Sequence, residues 1–213
     1  MIIAVDGSAA SGKGTLAKRL AGHFNLAHLD TGTLYRALGL HLLRSGATIE
    51  NTAENTAAAA VKTLDLAVAL SPDIRTDAVA AMASVVAAMP SVRAAFTNLQ
   101  RGFAARPPHG AGAVLDGRDI GSVILPDADF KFFIDADLDV RAERRTRELQ
   151  GTGQSVMLRD VLEDMRQRDE RDRGRATAPL KAAEDALVID TSAMDADGVF
   201  DLAVAHIAAS AEQ

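Results

Sequence analysis

The 213-residue sequence contains no cysteine and no tryptophan, and its aromatic residues are seven Phe and one Tyr. The absence of cysteine excludes disulfides, thiolate nucleophiles and zinc–cysteine sites. Lysine is also scarce, with 5 Lys beside 18 Arg, and the formal net charge is −6. An acidic chain with so few aromatic rings for base stacking is not typical of a nucleic-acid-binding protein.

Long hydrophobic runs are missing as well. The apolar run at the N-terminus stops at Asp6, and the longest later run, residues 78–89, is closed by Pro90. A membrane-spanning helix needs about 20 apolar residues, and a signal peptide needs a basic segment before its apolar stretch. The sequence therefore predicts a soluble, cytoplasmic protein with no membrane partner.

Short apolar runs alternate with stretches of helical spacing along the chain. Strands are predicted at residues 2–5, 27–30, 113–116, 130–134 and 186–190, and helices at 12–24, 31–45, 76–89, 90–106, 138–150, 155–173 and 195–209. Residues 51–70 are predicted as a helix followed by a short extended piece. This alternation is typical of one α/β domain, in which a parallel sheet is covered by helices on both faces.

A glycine-rich turn links the first predicted strand to the first helix; its sequence is Gly7-Ser8-Ala9-Ala10-Ser11-Gly12-Lys13-Gly14-Thr15. It has the G-x-x-x-x-G-K spacing of a phosphate-binding loop in the strand–loop–helix context that the motif requires. Backbone N–H groups and the helix N-terminus would bind phosphates there. Lys13 is predicted to reach the donor phosphates, and Thr15 offers the nearest hydroxyl for Mg²⁺. An ordinary strand-to-helix turn is the alternative that this combination disfavours.

Four of the five predicted strands end in aspartate, at Asp6, Asp30, Asp116 and Asp190. Ligands of open α/β sheets bind beyond the carboxyl ends of the strands. Two segments at such ends are therefore candidates for binding an acceptor, Asp30-Thr31-Gly32-Thr33-Leu34-Tyr35-Arg36 and Asp116-Gly117-Arg118-Asp119-Ile120-Gly121. Taken singly, Arg36 has the pattern of a surface residue and Tyr35 that of a packing residue.

Ten of the arginines lie in residues 141–175, together with eight acidic residues, so this block is close to neutral. One set there is spaced by three and four and shares a helix face, namely Leu158, Val161, Met165, Arg168, Asp172 and Arg175. The apolar half predicts inward packing. The charged half indicates a ligand cleft, because burying unpaired charge is unfavourable. A solvated face with Arg–Asp pairs is the alternative.

These segments together resemble bacterial cytidylate kinases of the adenylate kinase type. The similarity includes Gly-Lys-Gly-Thr in the phosphate loop, both acceptor segments, and Arg168-x-x-x-Asp172-x-x-Arg175 followed by Ala178-Pro179-Leu180, and it runs from Ile3 to about Ser192. The resemblance implies a P-loop NTPase fold with a five-stranded parallel sheet. It implies a core at about 1–30, 110–137 and 180–213, an acceptor-binding part at about 31–106, and a helical lid at about 141–175.

The resemblance also implies an activity, the transfer of the γ-phosphoryl group of ATP to CMP or dCMP with Mg²⁺. Lys13, Arg118 and Arg175 are the implied catalytic residues, and Thr15 and Asp116 the implied magnesium ligands, Asp116 through water. The implied ATP-binding residues are 7–15 with Arg141, Arg144 and Arg145 of the lid. The implied CMP-binding residues are Thr31, Arg36, Ser84, Arg93, Arg118, Asp119, Arg168, Asp172 and Arg175.

Within the acceptor set, the resemblance assigns Arg36, Arg118 and Arg175 to the phosphate. Arg168 and Asp172 are assigned to the ribose, and Ser84, Arg93 and Asp119 to the cytosine. For each lid arginine, a solvated helix residue is the alternative.

Two other functions remain open from the sequence. One is a small P-loop kinase for UMP or another acceptor, and the other is a regulatory module that binds ATP without an acceptor. No Asn-Lys-x-Asp motif for guanine occurs. Many family members have a longer insert after the region of Leu64, where this chain has only about ten residues before Ile74. A monomer is expected, because the lid and the acceptor-binding part must move.

Overall fold

The computed structural model describes residues 1–210. Five strands form one sheet: β1 (Ile2–Gly7), β2 (Ala27–Asp30), β3 (Ala113–Gly117), β4 (Phe130–Asp135) and β5 (Leu187–Asp190). Their order is β2-β3-β1-β4-β5, and every neighbouring pair is parallel. The predicted α/β fold with a five-stranded parallel sheet is therefore confirmed.

Eight α-helices accompany the sheet within the described residues: α1 (Lys13–His23), α2 (Thr31–Arg44), α3 (Glu54–Thr63), α4 (Asp77–Val86), α5 (Pro90–Ala105), α6 (Leu138–Gly151), α7 (Leu158–Arg173) and α8 (Ala196–Ser210). The boundary between α4 and α5 follows from Pro90, which occupies the first turn of α5, where a missing N–H is tolerated.

Two predictions about secondary structure are wrong in detail. The piece predicted as extended before residue 70 is a 3₁₀-helix, Leu66–Leu70, which starts because the Asp65 carboxylate accepts the N–H of Ala67 at 2.9 Å. A second 3₁₀-helix, Pro72–Arg75, follows. Helix α7 begins at Leu158, three residues later than predicted. Both differences concern local hydrogen bonds at element ends, which apolar spacing does not encode.

Alternating side chains of β1 bury both faces of the sheet. Ile3 and Val5 belong to a core cluster that also contains residues of α1 and α8. Ala4 belongs to a cluster on the opposite face with Leu115 and Ile124. Because both faces are covered, the central strand is apolar at every position up to Asp6, as a buried parallel strand requires.

Helices α2 to α5 have a hydrophobic cluster of their own, which includes Leu38, Met82 and Phe96. Gly39 allows α2 to approach α4 closely, since a Cβ there would lie 3.2 Å from the backbone nitrogen of Ala83. This helical part stands beyond the carboxyl ends of β2 and β3, where α2 begins at Thr31 directly after β2.

Helices α6 and α7 pack on each other around a third cluster, which includes Leu149, Val161 and Met165. Leu158 was predicted to pack inward with Val161 and Met165, and that prediction is wrong, because its side chain is 44% exposed. It is the first residue of α7, and the buried part of the helix begins only at Val161.

Within residues 1–210, no single helix is long and apolar enough to cross a membrane. Helices α4 and α5 reach that length and composition only when taken together, and they are bent by 96° at their break.

Candidate active site

The glycine-rich turn between β1 and α1 has a backbone that depends on two of its glycines. A Cβ at Gly7 would lie 2.0 Å from the carbonyl oxygen of Ile134, so no other residue fits. Gly12 has a φ of +93°, in the left-handed region that favours glycine, and it precedes the first residue of α1. The turn therefore brings the backbone to the N-terminus of α1, the arrangement that binds phosphate.

Side chains hold the turn by its carbonyl groups. The carbonyl of Ser8 accepts from the Ser11 hydroxyl at 3.0 Å, and that of Ser11 accepts from the Thr191 hydroxyl at 2.9 Å. The carbonyl of Ala9 accepts from the guanidinium of Arg141 at 3.3 Å. With these carbonyls bound to the protein, the N–H groups of the turn and of the first turn of α1 remain for an anion.

A cavity of about 370 Å³, here termed the main cavity, lies over this turn at the carboxyl ends of the strands. Most of the predicted site residues line it: Ala9, Ala10, Gly12, Lys13, Gly14, Thr15, Thr31, Arg36, Ser84, Arg93, Asp116, Arg118, Asp119, Arg145, Arg168, Asp172 and Arg175. Nine basic and five acidic residues line it in all, so the cavity has an excess of positive charge in a chain of net charge −6. A concave surface of one sign concentrates oppositely charged ligands.

Lys13 is the basic residue of the turn itself. Burial and, to a smaller extent, the positive charge of Arg118 lower its pKa to about 8, although Asp116 and Asp30 act in the opposite direction. The ammonium group therefore lacks enough negative charge around it to compensate for burial. A bound phosphate chain would supply that charge.

Asp116 lies at the end of β3 with its carboxylate buried. One carboxylate oxygen is 2.8 Å from Nε2 of His28, and the backbone carbonyl of Asp116 accepts the Thr31 hydroxyl at 2.8 Å. The other carboxylate oxygen lies 3.6 Å from where a Cβ on Gly14 would stand. Asp116 is thus fixed beside the phosphate-binding turn.

A cluster of guanidinium groups surrounds Asp172 near the end of α7. Asp172 is 1% exposed; it accepts from Nε of Arg118 at 3.0 Å and also from Arg175. Burial and, to a smaller extent, the neighbouring Arg118 lower the pKa of Arg168 to about 9. One carboxylate thus faces three guanidinium groups, and the remaining positive charge suits a phosphate group. Arg168 and Asp172 of α7 line the cavity, as the charged half of the predicted helix face indicates. Arg175 lines it as well, but α7 ends at Arg173, so Arg175 does not lie on the helix face that its spacing predicted.

A buried ion pair lies at another wall of the cavity, between Arg93 of α5 and Asp119 just after β3. Arg93 also donates to the carbonyl of Ala87 at 3.3 Å, and Ser84 of α4 lines the same cavity. In the sequence, only the family resemblance indicates that Ser84 and Arg93 lie beside Asp119, because Asp119 is more than 20 residues away along the chain.

Asp6 holds the segment that carries Arg118 and Asp119. Its two carboxylate oxygens accept the backbone N–H groups of Ile120 and Gly121, each at 2.7 Å. Burial raises the pKa of Asp6 to about 7, although these two hydrogen bonds act in the opposite direction. The aspartate that ends β1 is therefore an anchor for the neighbouring loop.

The three lid arginines have different environments. Arg145 lines the main cavity and pairs with Glu148 at 3.0 Å. Arg144 donates to the backbone carbonyl of Thr191 at 2.7 Å and lies outside the main cavity. Arg141 is 2% exposed and forms a two-pronged ion pair with Asp169, at 2.6 and 3.3 Å. The structure therefore brings one of the three to the main cavity.

A second cavity, also about 370 Å³, lies on the other side of the turn. It is lined by Ser11, Leu16, Arg144, Thr191, Met194, Asp195, Ala196 and Val199, and it shares Ala10, Gly12, Thr15 and Glu148 with the main cavity. No motif in the sequence marks the residues after β5 as part of a site. Their position after the carboxyl end of a strand is the signal that could have indicated them.

Some residues of the main cavity were also missed. Tyr35 was interpreted as a packing residue; it does pack, with its ring edge-on to Phe96 at 5.0 Å, and it also lines the cavity. Gln100 and Arg75 line the cavity without belonging to any motif. Gln100 is seven residues after Arg93, on the same face of α5, and this spacing is the sequence signal that could have found it.

Comparison with known proteins shows the family of this chain. A crystal structure of an uncharacterized protein from Eubacterium ventriosum shares the fold, with a TM-score of 0.56 at 19% identity over 97% of this chain and 98% of the other. Cytidylate kinases of Xanthobacter autotrophicus and Azorhizobium caulinodans are 53% and 54% identical to this chain. The alignments cover 98% of both chains in the first case, and 97% of this chain and 98% of the relative in the second. The family model described as cytidylate kinase matches residues 3–209, so the chain belongs to the cytidylate kinase family.

Proposed function

We propose that this kinase transfers the γ-phosphoryl group of ATP to CMP or dCMP, giving ADP and CDP or dCDP. The observation that carries the proposal is the main cavity, where the phosphate-binding turn meets the predicted acceptor residues from α2, α4, α5, α7 and the end of β3. Two substrates that are both anionic must be held end to end, and an excess of basic residues at their meeting point meets that requirement.

The donor is assigned to the turn and the second cavity. Because the two cavities share Gly12 and Thr15, a nucleotide with its base in the second cavity can extend its phosphates across the turn into the first. Lys13 would contact the phosphate that is transferred, and the N-terminus of α1 would bind the phosphates next to it. We place Arg144 near the donor nucleoside, since it lines the second cavity.

The acceptor phosphate is assigned to Arg36, Arg118 and Arg175. Arg36 comes from the start of α2, and its guanidinium is held by the carbonyl of Ile74 at 2.9 Å. A guanidinium group stays charged at neutral pH and can donate two parallel hydrogen bonds to a phosphate. Three such groups therefore suit the phosphate of the acceptor. Arg168 and Asp172 are assigned to the ribose, because a carboxylate can accept from a sugar hydroxyl.

The acceptor base is assigned to the wall formed by Ser84, Arg93 and Asp119. The Asp119 carboxylate would accept from the exocyclic amine of cytosine, at a position where uracil has an oxygen. Burial raises the pKa of Asp119, and the adjacent Arg93 opposes this. The ion pair thus keeps an acceptor on the wall that favours cytosine.

The reaction needs no general base. The second pKa of a phosphate monoester is near 6, so the attacking oxygen is largely ionised at neutral pH. The residues of the cavity align the two substrates and neutralise the charge of the transferred group. Closing the lid over the site would exclude water, which would otherwise compete as the acceptor.

Mg²⁺ fits the oxygen donors beside the turn. Thr15 and Asp116 both line the main cavity, and Asp116 stands next to Gly14. Among residues 1–210, no three His, Asp or Glu side chains are grouped to enclose a metal, so phosphate oxygens and water would complete the shell, as Mg²⁺ prefers. When bound, the ion would neutralise phosphate charge.

The acceptor-binding part and the lid are the parts of the protein that we expect to move. We propose that residues 31–106 bind the acceptor and that residues 141–175 form the lid, on a core of residues 1–30, 110–137 and 180–213. Arg145 of α6 lies 3.7 Å from Asp77 of α4, a contact between the two parts that does not involve the sheet. We expect the protein to act as a monomer.

A panel of acceptors tests the proposal. With ATP and Mg²⁺, CMP and dCMP should be phosphorylated much faster than UMP or AMP, and ATP consumption should require the acceptor. Fast turnover of UMP beside slow turnover of CMP would indicate a UMP kinase. Consumption of ATP without any acceptor would instead support a regulatory ATP-binding module.

Two variants test whether the activity depends on residues of the main cavity. Lys13→Ala and Arg118→Ala should each lower kcat by roughly 10²–10³-fold, the loss typical of removing one group that stabilises developing charge. Lys62→Ala, at an exposed position on α3, is the matched control and should keep full activity. Wild-type turnover in either cavity variant, with the fold intact by circular dichroism, would contradict the assignment of that residue.

A further inference from the structure

Unpartnered polar atoms are concentrated in the main cavity. Within residues 1–210, five buried side-chain atoms have no hydrogen-bond partner: Ser84 Oγ, Gln100 Nε2, Ser122 Oγ, Arg168 Nε and Arg175 Nε. All of these residues except Ser122 line the main cavity. A buried polar atom without a partner destabilises the fold, so folded proteins retain such atoms mainly where a ligand or water completes their hydrogen bonds.

Three of the four cavity residues already have a proposed ligand. Ser84 is assigned to the base, Arg168 to the ribose and Arg175 to the phosphate. Gln100 has none, although its side chain is 2% exposed and its amide meets the same cavity. The hydrogen-bonding capacity of this amide is therefore the part of the cavity that the proposed function leaves unexplained.

The position of Gln100 shows which part of the acceptor it can meet. It follows Arg93 by seven residues and Phe96 by four, so the three share one face of α5. The ring of Tyr35 packs on Phe96, and the Tyr35 hydroxyl lies near the side chain of Gln100. Burial raises the pKa of this hydroxyl, whereas Arg93 and the Gln100 side chain lower it. The Gln100 amide therefore lies at the wall assigned to the base.

The donors at this wall are few. Arg93 is bound to Asp119 and to the carbonyl of Ala87, and Asp119 is an acceptor. A cytosine base presents one amine donor and two acceptors, O2 and N3. Since Asp119 accounts for the amine, the base still needs donors. Arg93 has further N–H groups beyond these two hydrogen bonds, and Ser84 and Gln100 each have a buried donor atom without a partner.

We propose that Gln100 is a further specificity-determining residue, whose side-chain amide donates a hydrogen bond to O2 or N3 of the pyrimidine base of CMP. This inference rests on the proposed function. It adds a contact from α5 that is independent of the Arg93–Asp119 pair. It also explains why a polar side chain is buried among the apolar residues of that helix.

The test compares a ligand that has the base with one that lacks it. In Gln100→Met, which keeps the length of the side chain but removes the amide, the Kd of CMP measured by calorimetry should rise by about tenfold. The Kd of ribose 5-phosphate and that of ATP should stay within about twofold of wild type, because neither contains a group that Gln100 contacts. The Kd values of CMP and dCMP should rise equally, since the sugar hydroxyl is not involved.

Gln167→Met is the matched control. Gln167 is exposed on α7 and its side-chain amide donates to Glu163 at 2.9 Å, away from the cavity, so all these Kd values should be unchanged. An unchanged Kd of CMP in Gln100→Met would overturn the inference. It would also be overturned by an equal loss for CMP and ribose 5-phosphate, which would show a structural role, or by a loss confined to CMP and absent for dCMP.

The wild-type protein gives a second test that does not depend on folding of the variant. The side-chain NH₂ resonances of Gln100 should shift on addition of CMP and not on addition of ribose 5-phosphate, and equal responses to both would overturn the inference. The proposed function is tested separately, by wild-type turnover of CMP. Turnover of CMP together with unchanged binding in Gln100→Met would reject only the role of Gln100.

Discussion

Asp6 illustrates how one residue at a strand end can serve a site without facing the cavity. Its carboxylate bridges the N–H groups of Ile120 and Gly121 at the turn that follows Asp119. An ionised carboxylate suits two donors, whereas burial favours the neutral acid. The raised pKa of about 7 is the balance of these effects, with burial the stronger.

This balance predicts a dependence of stability on pH. The folded protein holds the Asp6 proton up to about pH 7, whereas the unfolded chain releases it near 3.8. Between these values the folded state binds more protons, so the contribution of Asp6 to stability falls as the pH rises. The free energy of unfolding in urea should therefore decline between pH 4 and pH 7 more steeply in wild type than in Asp6→Asn.

The comparison needs a surface reference, because other carboxylates titrate in the same range. Asp164→Asn, at an exposed position on α7, supplies it and should follow the wild-type curve. Parallel curves for wild type and Asp6→Asn would mean that the Asp6 carboxylate has the same pKa in the folded and unfolded states.

At the scale of elements, Arg141 joins three parts of the molecule. From α6 it reaches Asp169 of α7, the carbonyl of Ala136 after β4, and the carbonyl of Ala9 in the phosphate-binding turn. The family resemblance implies that Arg141 is one of the lid arginines that bind ATP. In the structure its donors are used to fix α7 and the turn relative to α6.

This arrangement predicts a loss of stability in Arg141→Met of about 3–5 kcal/mol, because Asp169 would be left buried and unpaired. Arg147→Met is the control on the same helix. Arg147 is 72% exposed and pairs only with exposed Glu143, so the loss should be below about 1 kcal/mol. Both values follow from unfolding in urea. Equal, small losses would show that Arg141 is dispensable to the fold. They would favour the role in ATP binding that the family resemblance implies for Arg141.

At the scale of the whole molecule, the two cavities lie on either side of the phosphate-binding turn. Four residues line both cavities. A ligand that spans the turn can therefore fill both at once. Two binding events joined in one molecule gain affinity without new contacts, provided that the linker reaches.

A cytidine and an adenosine joined by five phosphates should therefore bind at least about 100-fold more tightly than ATP, and it should raise the melting temperature more than ATP and CMP added together. The same nucleosides joined by two phosphates are the control, since that chain is too short to cross the turn. Equal affinity of the long and short compounds would contradict the joint use of the two cavities.

Much of the fold was predictable because the relevant signals are local. Short segments rich in apolar residues predicted the five strands, and Pro90 predicted the break between α4 and α5. The positions of Lys13, Arg118 and Asp172 followed from contiguous motifs, and all three line the main cavity. Leu158 was placed wrongly because helical spacing identifies a shared face but not where along that face burial begins.

The sequence by itself determined the parallel sheet, the phosphate-binding turn and the membership of a kinase family, since these depend on spacing between near neighbours along the chain. Only the tertiary structure decided which side chains of α5 and α6 line the main cavity. Gln100 lines the cavity because α5 packs beside β3 and brings its buried face to Asp119. Arg141 does not line it, because its guanidinium pairs with Asp169 of α7. Such pairings depend on how distant segments pack, and local spacing contains no information about the partner on the other element.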